Sequence, residues 1–122
     1  MKYIIALLVF TNCAYAHEMT PTYFSISPSF VDGVSNVDMK LFNRRIDVDY
    51  YEFSVYDKKW NLIPYAATER LVKIDYLEKK KITIYIRNED VGRVVYICSI
   101  SKLLKEDVTS TPISSRICSK VK

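Results

Sequence analysis

Apolar and polar residues alternate along most of this chain with a period of two, the mark of strands that bury one face and wet the other. Val34 to Phe42 sets Val37, Met39 and Leu41 in step against Asn36, Asp38 and Lys40. Asp47 to Tyr56 puts Tyr51, Phe53 and Val55 on one face and Glu52 and Ser54 on the other. Lys81 to Arg87 alternates most cleanly, with Ile82, Ile84 and Ile86 against Thr83 and Tyr85. Gly92 to Ile100 is apolar on both faces, which suits a central strand. Thr22 to Phe30 is interrupted by Pro28, which cannot donate to a ladder, so it reads as an edge strand or one containing a switch. Shorter runs at Leu62 to Tyr65 and Arg70 to Tyr76, and a last strand over Ile113 to Val121, complete the set.

Turns separate these runs at Asp32-Gly33, Asp57-Lys58-Lys59, Glu78-Lys79-Lys80 and Asn88-Glu89-Asp90, and Leu103 to Asp107 reads as a helical turn or a loop. About seven short strands with regular turn signals predict an all-β Greek-key sandwich. A β-barrel has the same alternation and stays open as the alternative.

The start of the chain breaks the pattern. Met1-Lys2, the apolar run Tyr3 to Phe10 and the small-x-small motif Ala14-Tyr15-Ala16 read as a signal peptide cut after Ala16. The apolar run is far shorter than the ~20 residues a membrane span needs. A lipoprotein cut before Cys13 fits less well, because Phe10-Thr11-Asn12 lacks the expected Leu and small residues. The expected organisation is a signal peptide over residues 1–16 and one domain over residues 17–122. The expected location is the periplasm or the cell exterior, with no integral membrane segment after cleavage.

Composition sharpens this. The chain has 122 residues, enough for one domain, and its hydrophobic fraction of 49% argues against disorder. After residue 16, β-branched and aromatic residues far outnumber Ala, Leu and Met, as a pleated, half-buried surface favours. The formal net charge of +4 is mild and the signs are interspersed, so no nucleic-acid partner is expected. Cys13 leaves with the signal; Cys98 and Cys118 remain, an even number in an exported protein. A disulfide between them would staple the last two strands and close a loop of about 20 residues, worth about 3 kcal/mol in the chain-entropy model. Two buried free thiols are the alternative.

Catalytic chemistry is poorly supplied. There is no CxxC, no Cys/His cluster with zinc spacing and no Gly-rich phosphate loop, so no cofactor is expected. The lone His17 falls at the new N-terminus, where it is expected to be disordered, with copper binding beside the α-amine as the other reading. No Ser–His pair is then expected in a folded core. Asp47/Asp49 and Glu89/Asp90 read as wet-face and turn carboxylates, and the protein is not expected to be an enzyme. Tyr96, two residues before Cys98, has the spacing of a tyrosine corner. Tyr50, Tyr56, Tyr85 and Trp60 read as cross-strand packing, with a ligand platform as the alternative.

Four segments resemble a known family. Val37-Asp38-Met39-Lys40-Leu41-Phe42-Asn43 is similar to its second strand. Leu71 to Ile74 through Glu78 to Ile82–Arg87 is similar to its turn-and-strand segment, and Val94 to Ile100 to its sixth strand. Ser114 to Lys122 is similar to its seventh. The family is the N-terminal immunoglobulin-like domain of periplasmic pilus-assembly (PapD-like) chaperones. The resemblance implies an immunoglobulin-like sandwich that lends alternating apolar side chains of its last strand to an incomplete subunit. Carried over, these are Ile113, Ile117 and Val121, with Arg116 and Lys120 flanking them. The chain departs from the family in having one domain rather than two. Pro28 or Ser29 stands where the family has an anchoring Arg, Cys118 stands near its Lys position, and Glu78-Lys79-Lys80 replaces its Pro-Gly turn.

The implied function is protein binding in the assembly of pili or other surface structures. A structural or adhesive subunit and an exported inhibitor or effector are the alternatives. Whether the last strand is lent to a partner or paired in the core is left open by the sequence.

Overall fold

The computed structural model describes residues 17–102 and 115–122. Its strands are β1 (Glu18–Thr20), β2 (Tyr23–Phe24), β3 (Ser27–Pro28), β4 (Val34–Phe42), β5 (Tyr50–Tyr56), β6 (Ala66–Ala67), β7 (Leu71–Lys73), β8 (Lys79–Arg87), β9 (Tyr96–Lys102) and β10 (Arg116–Val121). One sheet runs β1-β4-β8-β6, with β3 also on β4; the other runs β2-β10-β9-β5-β7. The two sheets form a sandwich.

The alternation read from the sequence is the alternation found. Val37, Met39 and Leu41 of β4, Tyr51, Phe53 and Val55 of β5, and Ile82, Ile84 and Ile86 of β8 all face the core. β9 lies between β10 and β5, the central place that its two apolar faces predicted.

The first expected strand does contain a switch. β1 pairs antiparallel with the end of β4, β2 crosses to the other sheet and pairs parallel with the end of β10, and β3 returns to the start of β4. The peptide Thr20-Pro21 at the first crossing is cis. Phe24, fully buried, fixes the crossing segment in the core. This segment closes one side of the sandwich.

Several boundaries move. Lys79 and Lys80 belong to β8 rather than to a turn, because Lys79 to Lys81 pair with Phe42 to Lys40. The turn lies just before them. Asn43 N–H donates to Glu78 O, Leu77 N–H donates to Asn43 O, and Leu77 takes a left-handed φ of 63°. Asn88–Val91 is a short helix, α1, rather than a bare turn. β5 starts at Tyr50 and β9 at Tyr96, later than the apolar runs suggest. Of Leu62 to Tyr65, only Leu62 bridges to Tyr56, and the strand lies beyond it at β6. Leu103 to Asp107 lies outside the described residues.

One end of the sandwich is sealed by Asn43, which is fully buried. Its Nδ2 donates to Val48 O at 2.7 Å and Ile74 O at 2.9 Å. Its Oδ1 accepts from Arg45 N–H at 2.9 Å and from the Tyr51 hydroxyl. Amide chemistry is needed here because two carbonyls and two donors converge where water is excluded.

Candidate functional site

Three inward positions at this end of the second sheet carry serine where the alternation calls for a large apolar side chain. They are Ser99 and Ser101 on β9 and Ser115 at the foot of β10. Their small side chains leave a space, and His17 fills it. The imidazole is 1% exposed, with Nε2 2.8 Å from Ser99 Oγ and Nδ1 3.0 Å from Ser115 Oγ. Its ring centroid is 4.7 Å from that of Tyr51.

Arg45 completes the cluster. It is nearly buried, binds Asp47 through Nε at 3.0 Å and Nη2 at 2.6 Å, and donates from Nη1 to Ser101 Oγ at 3.3 Å and Ser115 Oγ at 3.5 Å. Burial pushes the His17 imidazole down from 6.5 to about 4; the hydrogen bond at Ser99 opposes this, and the Arg45 charge adds to it. Burial likewise raises the Tyr51 phenol to about 12, so it stays a donor.

These facts correct two expectations. His17 is not a disordered terminal residue, and a Ser–His pair does lie in the folded core. Burial of an apolar ring surface and two hydroxyl partners hold the ring in place. Ser99 is itself fully buried, so the pair holds the packing of two strands together. The turn carboxylate Asp90 is also buried rather than wet. Hydrogen bonds from Arg93 and then Arg87 hold its carboxyl below the usual range.

β10 presents the second feature. Val121 N–H donates to Val95 O, and Ser101 N–H donates to Ser115 O. Odd-numbered residues of β10 therefore bond to β9, and even-numbered ones point their backbone groups away from it. Lys120 N–H donates to Thr22 O at 3.0 Å and Lys122 N–H to Phe24 O at 3.0 Å. β2 thus covers only the end of this edge. At Arg116 and Cys118 no strand among the described residues pairs with the outward backbone groups.

The partner-binding residues carried over from the resemblance fall around this edge. Ile117 and Val121 are partly buried and pack against the chain's own core, while Arg116 and Lys120 are exposed. Ile113 lies outside the described residues. Cys98 and Cys118 stand opposite each other at a non-hydrogen-bonded position, 4.0 Å apart at Cα, and are joined in a disulfide.

Over the disulfide lies an aromatic cluster. Trp60 stacks on Tyr96 with ring centroids 4.1 Å apart and planes within 4°, and Tyr56 packs beside it at 5.5 Å. The Arg116 guanidinium sits 4.9 Å from the Tyr56 centroid, 5.1 Å from that of Trp60 and 3.7 Å from Cys98 Sγ. Tyr96 is therefore a stacking partner, and it is Tyr65 whose hydroxyl bonds a backbone carbonyl, that of Phe53. Trp60 holds a left-handed φ of 66° in a turn whose Asp57 carboxylate accepts from Lys59 and Asn61 N–H.

Two terms compete at Trp60. Glycine would relieve about 1 kcal/mol of left-handed strain, whereas the rings contribute about 2–3 kcal/mol through half-burial and stacking. Trp60→Gly is expected to lower stability by about 1–2 kcal/mol, and Trp60→Ala by about 1 kcal/mol more. Urea unfolding of the two variants checks the order. Equal stabilities would mean that the left-handed conformation costs nothing.

Burial of His17 and the geometry of β10 were not readable from the sequence. The three serines at inward-phased positions were the only available signal.

The architecture is that of the PapD-like immunoglobulin fold. The structure is similar to that of the E. coli chaperone DraB, with a TM-score of 0.67 and 14% identity over 88% of this chain. The chain spans about half of the DraB chain, 53% of it. It is also similar to PapD-like domain 7 of human CEP192, with a TM-score of 0.50 and 11% identity over 86% of this chain and 81% of that domain chain. No protein-family model matches the sequence, and no curated protein matches it. Among the described residues, no helix is long and apolar enough to cross a membrane.

Proposed function

We propose that this chain is an exported, chaperone-like binding protein that serves the assembly of pili or other surface structures and holds subunits by β-strand addition. One observation carries the reading: the outward backbone groups of β10 at Arg116 and Cys118, which no strand among the described residues pairs with, on a PapD-like sandwich. Unpaired strand groups bind an extended segment through main-chain hydrogen bonds, and alternating side chains give specificity. In this reading Ile113 is lent to the partner. Ile117 and Val121 seat the strand, and Arg116 and Lys120 flank the added segment. Residues 1–16 are the leader, and the protein works in the periplasm or outside the cell.

The test uses the tagged protein recovered from the envelope of its native cell, with partners identified by mass spectrometry. Proline at position 116 removes an N–H that points away from β9, so the β9–β10 ladder survives. Arg116→Pro is expected to cut recovery of a 1:1 subunit complex at least about tenfold, with the far-ultraviolet spectrum unchanged. Undiminished recovery of the same subunit, or a ladder of self-multimers from the parent protein, would overturn the reading.

A second reading, an exported inhibitor or effector, draws on the stacked Trp60, Tyr56 and Tyr96. Trp, Tyr and Arg are the residue types that dominate protein-binding hot spots. It is favoured if Trp60→Ala abolishes partner recovery and Arg116→Pro does not.

A further inference from the structure

We propose that the His17 imidazole is a clasp that fixes the foot of β10 against β9, making it a positioning residue for the strand-adding edge. The proposal rests on the strand-addition reading for its functional meaning, but the clasp itself is a property of the isolated protein.

The argument starts from the three inward serines. A leucine or valine in any of these places would pack the end of the sandwich without help from the chain's first described residue. Instead the space is left for a ring from a residue 82 positions before Ser99 and 98 before Ser115. A neutral imidazole donates from one nitrogen and accepts at the other, and serine hydroxyls rotate to suit either role. The ring thus joins β9 and β10 through side chains at the point where β10 enters the sheet. Ser115 adds its own tie, its N–H donating to Ser101 Oγ at 2.8 Å. The next residue along, Arg116, is the first whose outward backbone groups no strand among the described residues pairs with. Moving Ser115 therefore moves the edge offered to a partner.

The same geometry makes the clasp sensitive to acid. A protonated ring has two donors and no acceptor, so both serine oxygens must accept from it. Ser115 Oγ is already 3.3 Å from Ser101 Oγ and 3.5 Å from Arg45 Nη1. The groups facing the ring are the Arg45 guanidinium with its Asp47 carboxylate from the 43–49 loop, the Tyr51 phenol from β5, and the serine hydroxyls of β9 and β10. On its own strand, Glu18 is engaged by Arg44 at 3.2 Å. A cation formed here is desolvated and faces Arg45, so protonation opens the clasp. Burial delays that opening until the pH approaches 4.

Amide hydrogen exchange by NMR on the chain from His17 onward tests this. The reporter is Ser101 N–H, which donates to Ser115 O at the clasped end. The reference is Val121 N–H, which donates to Val95 O at the far end of the same ladder. At neutral pH, His17→Ala is expected to lower Ser101 protection about tenfold relative to Val121. His17→Gln, which can still donate and accept, is expected to keep it within about threefold. At about pH 3.5, after correction for intrinsic exchange, the parent is expected to behave as the alanine variant does, and the glutamine variant to stay closed. Unchanged relative protection in His17→Ala overturns the clasp, and so does the same acid response in the parent and His17→Gln. If His17→Ala does not fold, the comparison of parent and His17→Gln in acid decides alone. Failure of partner capture with the expected exchange pattern would remove the strand-addition reading and leave the clasp in place.

Discussion

Between pH 6.5 and pH 4 the folded protein is expected to lose about 3 kcal/mol of stability through His17 alone. In that window the unfolded chain binds a proton at His17 that the folded chain refuses. Unfolding therefore takes up a proton, and stability falls as the pH falls. The contribution is whole above the unfolded value of 6.5 and lost by about 4, where the folded form also protonates. The imidazole is 1% exposed, so solvent does little to screen the effect. Carboxylates also contribute to acid unfolding, so the measurement is a difference. Urea midpoints of the parent and His17→Gln are compared at several pH values from 7.5 to 3.5. The parent's midpoint is expected to fall below that of His17→Gln as the pH falls. Parallel curves would show that His17 titrates alike in both states, and the buried site would then be wrong.

Opening the Cys98–Cys118 disulfide is expected to cost about 3 kcal/mol, from the entropy of a loop whose ends are 20 residues apart. For a domain of this size that corresponds to a fall in Tm on the order of 10–20 °C. The double substitution Cys98→Ala/Cys118→Ala is the cleaner probe, because Cys98 is 2% exposed and a serine there would bury a hydroxyl. Alkylation of the purified protein without reductant should leave its mass unchanged. Two alkylated thiols, or a double variant as stable as the parent, would remove the staple from the account. The cost also has a functional side. Cys118 shares the outward edge of β10 with Arg116, so in the strand-addition reading a looser β10 is expected to present a less ordered edge to a partner.

The two effects meet on one strand. β10 is held by the disulfide at its middle, by β2 at its end and by the His17 cluster at its foot. Strand addition rewards a pre-ordered edge, because a binding partner then need not supply the ordering entropy. A strand tied at three places, and unpaired along Arg116 to Cys118 among the described residues, meets that requirement.

Much of the sandwich was legible because its alternation is strict. Val37, Met39 and Leu41, then Tyr51, Phe53 and Val55, then Ile82, Ile84 and Ile86 each fix a face, and a slip of one residue would expose all of them. Cys98 and Cys118 were legible too, since the alternation places them on neighbouring strands. The Lys79-Lys80 pair misled because consecutive charges read as a turn, yet at the start of β8 Lys79 is exposed and Lys80 is half-buried beside Glu69. Trp60 gave no warning of its stack, because the turn that throws it over Tyr96 depends on Asp57 accepting from two backbone donors.

By itself, then, the sequence determined the strands, their inward faces and the disulfide, because these follow from period-two burial and from local covalent chemistry. Only the tertiary structure decided that the first segment crosses between the sheets, that no strand among the described residues covers β10 at Arg116 and Cys118, and that His17 is buried. Each of those depends on residues about 80 to 100 positions apart meeting in one small space. No local pattern encodes such a meeting; the three inward serines become a binding site for an imidazole only once β1, β9 and β10 converge.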